Sequence, residues 1–424
     1  MTSARLIACH ECDLLQRETV LAEGATARCR RCGAELYRNR PDSLNRALAC
    51  TLGAMVLFVI ANAFPIVGLK VSGDLVQTTL FGSVRILYRD GMWPLAGLVF
   101  ITTILMPFLE IFASVYLLLP LRLNGVPPRP ELAFRILHLA GSWGMTEVLI
   151  LGMLVALVKL AHIASVVPGV ALWAFGAVMV VLAATAAAFD PREVWARIGA
   201  AQRHPDGQGD EATFSTSAPT AARAGLLVCH DCGLLSKAGA HALDGARCPR
   251  CGAHLHFRKP NSIARTWAFL VAAVILYIPA NVLPVMDTSS LFGTQKDTIL
   301  SGVVYLWTSG SWPLAVVVFI ASIAVPMLKI LALVFLVLTA QRRSTWLLER
   351  RTRIYRLVEL VGRWSMLDIY VITVLVALVQ FSALATIKAG PAAIAFGAVV
   401  VLTMFAAMSF DPRLIWDANE TDHG

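Results

Sequence analysis

Cys9-His10-Glu11-Cys12 and Cys29-Arg30-Arg31-Cys32-Gly33 recur later in the chain as Cys229-His230-Asp231-Cys232 and Cys248-Pro249-Arg250-Cys251-Gly252. The sequence around them repeats in step. Asn62-Ala63-Phe64-Pro65 matches Asn281-Val282-Leu283-Pro284, Trp93-Pro94-Leu95-Ala96 matches Trp312-Pro313-Leu314-Ala315, and Phe189-Asp190-Pro191-Arg192 matches Phe410-Asp411-Pro412-Arg413. The chain is therefore a duplication, and each half has to be read as one structural unit.

Each half carries four apolar runs near the ~20 residues needed to cross a bilayer. They lie near 46–68, 95–119, 145–167 and 169–189, then 266–286, 313–338, 367–387 and 391–410. The whole chain, 424 residues with 57% hydrophobic and 15% charged residues and mean hydropathy +0.69, is too apolar for an ordinary soluble fold. The expected fold is mainly α: a polytopic membrane protein of two parallel repeats, each a small β zinc ribbon plus a four-helix module, about eight spans in total. The expected units are ribbon 1 (1–45), module 1 (46–198), a Gly/Ser/Thr-rich flexible linker (199–224), ribbon 2 (225–260), module 2 (261–417) and a polar tail (418–424). No cleavable signal peptide is expected at residues 1–45, because paired cysteines and arginines stand where its apolar core would be.

The net charge of +9 does not point to nucleic acid, since the basic residues flank the apolar runs and form no single basic face. They act instead as topology signals. Arg38, Arg40 and Arg46 precede the first run, Arg122, Arg129 and Arg135 sit between the second and third, and Arg192 and Arg197 follow the fourth. In the second half Arg342, Arg343, Arg350, Arg351, Arg353 and Arg356 crowd the equivalent middle connection. The positive-inside rule places both termini, both ribbons and the linker in the cytoplasm. Even numbers of spans then make the halves parallel repeats.

Eight of the nine cysteines form two C-x2-C…C-x2-C sets, with sixteen intervening residues in the first (Cys9, Cys12, Cys29, Cys32) and fifteen in the second (Cys229, Cys232, Cys248, Cys251). That spacing signals one structural zinc per set, two per chain, because two knuckle turns converge four thiolates on one tetrahedral ion. Disulfides are disfavoured by the reducing cytoplasm, and iron would use the same sulfurs. His10 and His230 read as turn residues, and Cys50, alone in the first span, as a small packing residue.

Ionisable groups inside spans are functional candidates by default. Lys329, Asp368, Ser322, Ser365 and Thr403 fall where one polar cluster inside the second module is expected, either as a transport site or as an ion pair that fixes helix packing. The first half carries Glu110, Glu147, Thr103, Gly144 and Ala184 at the matching places, so the halves are not equivalent. Asn62 and Asn281, three residues before a proline, read as helix-mending groups. Leu80, Val84, Leu87 and Tyr88, matched by Leu300, Val303, Val304, Leu306 and Trp307, predict a short interfacial helix, serving as a lipid anchor or a partner-docking element.

The ribbons, the N-x-x-P, W-P-L-A and F-D-P-R motifs together resemble the paraquat-inducible protein A family of Gram-negative inner membranes over nearly the full length. The resemblance implies an inner-membrane subunit that works with a periplasmic mammalian-cell-entry domain protein and moves membrane phospholipid between the two membranes. The competing readings are a metal- or redox-responsive membrane sensor and an ion-coupled small-molecule transporter. No P-loop motif and no G-x-S-x-G nucleophile occur in the sequence, and no enzyme activity is expected. An impermeant thiol reagent applied from outside should modify a cysteine placed at residue 74 and spare one placed in the 199–224 linker; the opposite pattern reverses the orientation.

Overall fold

The computed structural model describes residues 6–71, 74–144, 146–161, 165–202, 219–237, 246–290, 293–310, 312–362, 366–378, 380–381 and 385–417. Among them, seven helical stretches are long and apolar enough to cross a membrane: Ser43–Ala63, Trp93–Arg122, Pro130–Leu157, Val170–Ala188, Ser262–Val282, Ala315–Gln341 and Pro391–Ser409. The eighth expected span, at 367–387, is a 12-residue helix, Leu367–Leu378. The third crossing is built from two pieces in each half. Pro130–Trp143 is followed by Thr146–Ala161, and Leu348–Gly362 by Leu367–Leu378.

Strands replace the expected helix ends. The first spans stop at Ala63 and Val282, and the chain continues as Val67–Val71 and Met286–Ser290. These strands pair antiparallel with their hairpin partners Asp74–Thr78 and Gly293–Asp297, and with Ser165–Pro168 and Ala385–Ala389 from the approach to the fourth spans. Gln380–Phe381 adds a fourth strand in the second half. Hydropathy alone cannot separate a β-branched apolar strand from the end of a spanning helix, so the expected spans 46–68, 145–167, 266–286 and 367–387 ran into these sheets. Short helices form at the expected places, Leu80–Arg89 and Ile299–Thr308, each N-capped by a threonine side chain.

The sheets position the fourth spans. Gly169 N–H donates to the Ile66 carbonyl at 2.9 Å and Ala171 N–H to the Pro65 carbonyl at 3.3 Å; Gly390 N–H and Ala392 N–H make the same bonds to Val285 and Pro284, at 2.8 and 3.2 Å. The turn after the first span thus satisfies helix-start N–H groups that a bilayer cannot hydrate. The approach is so close that a Cβ on Gly169 would lie 2.1 Å from the Pro65 oxygen, and one on Gly390 2.2 Å from that of Pro284. Asn62 and Asn281 donate their side-chain amides to the carbonyls of Phe58 and Tyr277 in their own helices, both at 2.8 Å.

The second spans share another device. A π-helical turn, Ile101–Leu105 or Ile320–Ala324, directly precedes Pro107 or Pro326. An α-helical carbonyl at Thr103 or Ser322 would need the N–H of residue 107 or 326, which proline lacks, and the wider turn absorbs the mismatch. The first and fourth spans pack together within each half, while Thr146–Ala161 and Leu367–Leu378 pack on each other across the halves. There the Tyr370 hydroxyl donates to Thr102 Oγ1 at 2.9 Å, both residues fully buried.

Ribbon 1 is two short hairpins, Leu6–Ala8 with Leu15–Arg17 and Thr26–Arg28 with Glu35–Arg38, while the described residues of ribbon 2 form one, Leu226–Val228 with Leu235–Lys237, and a single bridge between Arg247 and His254. The ribbons cross over. Cys9, Cys12, Cys29 and Cys32 share an apolar cluster with Leu270, Leu333, Phe410 and Trp416 of the second module. Cys229, Cys248 and Cys251 share theirs with Leu44, Leu117, Phe134 and Trp195 of the first. Of the expected linker, 199–202 belong to the helix Pro191–Gln202, 203–218 lie outside the described residues, and 219–224 dock on ribbon 1, where Leu15 N–H donates to the Pro219 carbonyl at 2.9 Å. The expected tail, 418–424, also lies outside the described residues. Gly390→Ala is expected to destabilise the chain by at least about 1–3 kcal/mol, because the clash is with backbone that has no rotamer to yield. Thermal unfolding in detergent checks it, with Gly397→Ala, whose Cβ would make ordinary contacts at 3.6 Å, as the tolerated control.

Candidate functional site

The knuckles are built by the backbone. In each, the first cysteine's carbonyl accepts from the N–H four residues on, at 2.8–3.0 Å, and that fourth residue is left-handed: Asp13, Gly33, Gly233 or Gly252, with φ between 61° and 72°. Glycine takes this conformation freely, and aspartate is one of the few residues that tolerate it. Asp13 is used further: its carboxylate accepts from Ala222 N–H at 3.0 Å and from Arg258 at 3.2 Å, while Arg258 also grips Asp417.

Within each set the four Sγ atoms lie within 4.8 Å of one another. The closest pairs, Cys9–Cys32, Cys12–Cys29, Cys229–Cys251 and Cys232–Cys248, stand 3.4–3.5 Å apart. A disulfide needs about 2.05 Å. A tetrahedral ion with metal–sulfur bonds of about 2.3 Å places its sulfurs about 3.8 Å apart, so the donor set fits a four-thiolate metal site.

Three contacts fasten each ribbon to the opposite module, and they repeat in both halves. Arg356 donates from Nε to the Glu11 carboxylate at 2.8 Å and from Nη2 to the Cys32 carbonyl at 2.9 Å. Its counterpart Arg135 faces Asp231 at 3.4 Å and donates to the Cys251 carbonyl at 3.2 Å. Arg31 lies 4.4 Å over the Trp416 ring, and Arg250 lies 6.0 Å over that of Trp195. On its own module, ribbon 2 is fixed by the F-D-P-R motif. Asp411 is fully buried and accepts from the Arg413 guanidinium, Arg413 N–H and Lys259 N–H. Burial alone would raise its carboxyl pKa, but the hydrogen bonds and charge of Arg413 outweigh it and hold the pKa at about 2. Burial, reinforced by Arg413, lowers His230 to about 4. Arg413 Nη2 lies 3.0 Å from His230 Nε2, and since a guanidinium only donates, Nε2 is the acceptor. His230 is thus more than the plain turn residue expected of it.

In the membrane, the second module buries Lys329, Ser322 and Thr403. Ser322 and Thr403 donate their hydroxyl protons to the carbonyls of Val318 and Val400, at 2.7 and 2.9 Å, leaving their oxygens as acceptors. Lys329 Nζ has no hydrogen-bond partner among the described residues and lies 2.9 Å from where a Cβ on Gly362 would be. Ser365 and the side chain of Asp368 lie outside the described residues. Lys329 lines a cavity of ≈ 390 Å³ with Arg356, Glu359, Met404 and Met408, closed on one side by Gly141 and Ser142 of the first half. In that half Glu110 is partly buried and points at Gly144, 3.4 Å from where its Cβ would be, while Glu147 is exposed. Sequence reading passed over Arg135 and Arg356 as topology signals and did not single out Gly362. Their retention in both halves, Gly362 as Gly141, was the available signal.

The paraquat-inducible protein A family matches residues 44–199 and 263–420. The intermembrane transport protein PqiA of Escherichia coli (strain K12) is 35% identical over 99% of this chain and 98% of its own. The lipophilic envelope-spanning tunnel protein A of the same organism is 31% identical over 97% and 91%, and a probable intermembrane transport protein of Haemophilus influenzae 27% identical over 97% and 96%. No solved structure shows a significant match. Elemental analysis of the purified chain is expected to find two metal ions and, after Cys12→Ser, one, with ribbon 1 becoming protease-sensitive because metal binding at such sites is folding energy of about 10 kcal/mol.

Proposed function

The chain belongs to the paraquat-inducible protein A family, and from that premise we propose that it is the inner-membrane subunit of an intermembrane transport system, exchanging phospholipid with a periplasmic mammalian-cell-entry domain partner. The names of its relatives support the transport role. The observation that carries the site is the cavity around Lys329. A buried ammonium with no described partner costs stability, and its retention at membrane depth argues for a ligand or a cycle that uses it. The cavity wall joins charge at Lys329, Arg356 and Glu359 to apolar surface at Val358, Leu360, Met404 and Met408, which suits a headgroup with its chains. Leu360 and Met408 in that wall are also exposed, which would suit lateral access from lipid.

Each ribbon would hold one zinc ion on its four cysteines, cytoplasmic by the arginine bias, and the ion would supply only a cross-link between hairpins, since four thiolates leave no open position. Lys329, with Ser322, Thr403, Ser365 and Asp368 on neighbouring segments, would hold and release the polar end of the cargo, and the expected chemistry needs no covalent step.

Lys329→Ala is expected to abolish lipid exchange between inner-membrane and acceptor vesicles while membrane abundance stays near normal. Gly362→Ala, which pushes a methyl group against the ammonium, should reduce it without abolishing it. Glu110→Ala should matter less than either. Parallel loss of abundance and activity in Lys329→Ala would assign the lysine to packing, where stranding a buried charge costs roughly 3–5 kcal/mol, and full activity would remove it from the site.

A further inference from the structure

The two halves fasten their ribbons by the same contacts, but only one of the two docking arginines also stands in the wall of the Lys329 cavity. Arg356 donates to the Glu11 carboxylate and the Cys32 carbonyl of ribbon 1 from the Nε–Nη2 edge of its guanidinium, while the residue also lines the cavity together with Lys329. Glu11 and Cys32 flank metal-ligand positions: Glu11 lies between the first two cysteines, and Cys32 is itself the last. Arg135 makes the equivalent contacts to Asp231 and Cys251, yet it is not in that wall, although Gly141 and Ser142 of its own helix are.

We propose that Arg356 is a positioning residue that couples the metal-bound state of ribbon 1 to the Lys329 cavity. The Cys29–Cys32 knuckle presents its carbonyl, and the Cys9–Cys12 knuckle its Glu11 carboxylate, only while the four thiolates are drawn together. With both acceptors in place the guanidinium is held out along the ribbon. Without them, its charge turns to the carboxylate that remains within the same wall, Glu359, three residues along the helix, where i,i+3 pairs meet. The shape and charge of the cavity mouth then change. Because the ribbon belongs to the first half and the cavity to the second, the crossing carries the metal state of one repeat to the polar site of the other. Glu110, replacing Lys329, leaves the reciprocal crossing with no lysine to act on. The functional meaning of this coupling rests on reading the cavity as the transport site; the coupling itself does not.

The test uses the full-length, metal-loaded chain in detergent with Met408→Cys as a reporter in the cavity wall, its maleimide labelling rate corrected by the chain without the reporter. Arg356→Gln and Glu11→Gln are each expected to shift that rate by about tenfold or more, the change that 1.4 kcal/mol produces, while elemental analysis still finds two metals. Arg135→Gln should leave the rate within about twofold, well under 1 kcal/mol, and Arg356→Lys, which keeps the charge, should recover part of the shift. Removing the metal from the unsubstituted reporter chain should reproduce the Glu11→Gln rate. Unchanged labelling in both Arg356→Gln and Glu11→Gln, or an equal shift in Arg135→Gln, overturns the proposal. If Lys329→Ala transports normally and these shifts persist, the transport reading fails and the coupling stands; if Lys329→Ala is inactive and the shifts are absent, the reverse holds.

Discussion

Every backbone N–H and C=O that enters a bilayer has to find a partner inside the protein, and the arrangement of both modules follows from that constraint. The helices meet it along most of their length, and the difficulty is at their ends and at their prolines. After the first spans the chain leaves the helix at Phe64 and Leu283, and the carbonyls exposed there accept from the first N–H groups of the fourth spans. One unsatisfied helix end is thereby spent on another. The sheet strands that follow pair with the strands leading into the fourth spans, so part of the apolar run between the third and fourth spans folds back with its backbone groups hydrogen-bonded. At Pro107 and Pro326 the π-turn spreads the defect over five residues, and Thr102, Thr103 and Ser322 donate their hydroxyls to carbonyls in the preceding turn.

That solution fixes where polar groups are able to gather. Lys329 follows the second π-turn by about one helical repeat, and Glu110 stands at the same place after the first. The fault in the helix ladder and the ionisable residue lie on one stretch of helix in both modules, which is how irregular backbone at membrane depth is normally found, against a cavity or buried in protein. Tyr370 reaches the first π-turn from the other half through Thr102. The central seam between the modules is built mostly of apolar side chains, and this hydrogen bond supplies direction to a contact that dispersion alone leaves less defined.

Much of this was readable in the sequence, for physical reasons that can be named. Thiolate spacing is set by one ion's geometry, so the cysteine sets declared themselves, and hydropathy found the spans because bilayer thickness sets their length. The strands at 165–168 and 385–389 were hidden, since Val166, Val167 and Ile387 are as apolar in a strand as in a helix. The crossing of the ribbons was hidden for a deeper reason. Each half contains both an acid in its first knuckle, Glu11 or Asp231, and an arginine on the ascending helix, Arg135 or Arg356, so a duplicated sequence pairs equally well within a half or between halves. Only the path of the chain decides, and Asp13 belongs to that decision: where the second half has Gly233 for its left-handed turn, the first has a carboxylate that reaches residues 222 and 258.

The divergence of the two halves follows from their mutual dependence. In a symmetric duplication each ribbon steadies the other module, and neither contact set is expendable, since losing one would expose the apolar face of a ribbon and of the module beneath it. The docking arginines, the acids and the stacked tryptophans are accordingly retained twice. Inside the membrane the backbone devices repeat as well, at the π-turns and at Gly169 and Gly390, but the ionisable side chains do not. Lys329 and Glu110 stand at matching places of the second spans with opposite charge, but the glycines they approach do not match, since Gly362 corresponds to Gly141 and Gly144 to Ser365. Apolar residues of similar volume would fill either place at lower desolvation cost. The crossing contacts are the same in both halves, while the matching intramembrane place holds an amine in the second module and a carboxyl group in the first.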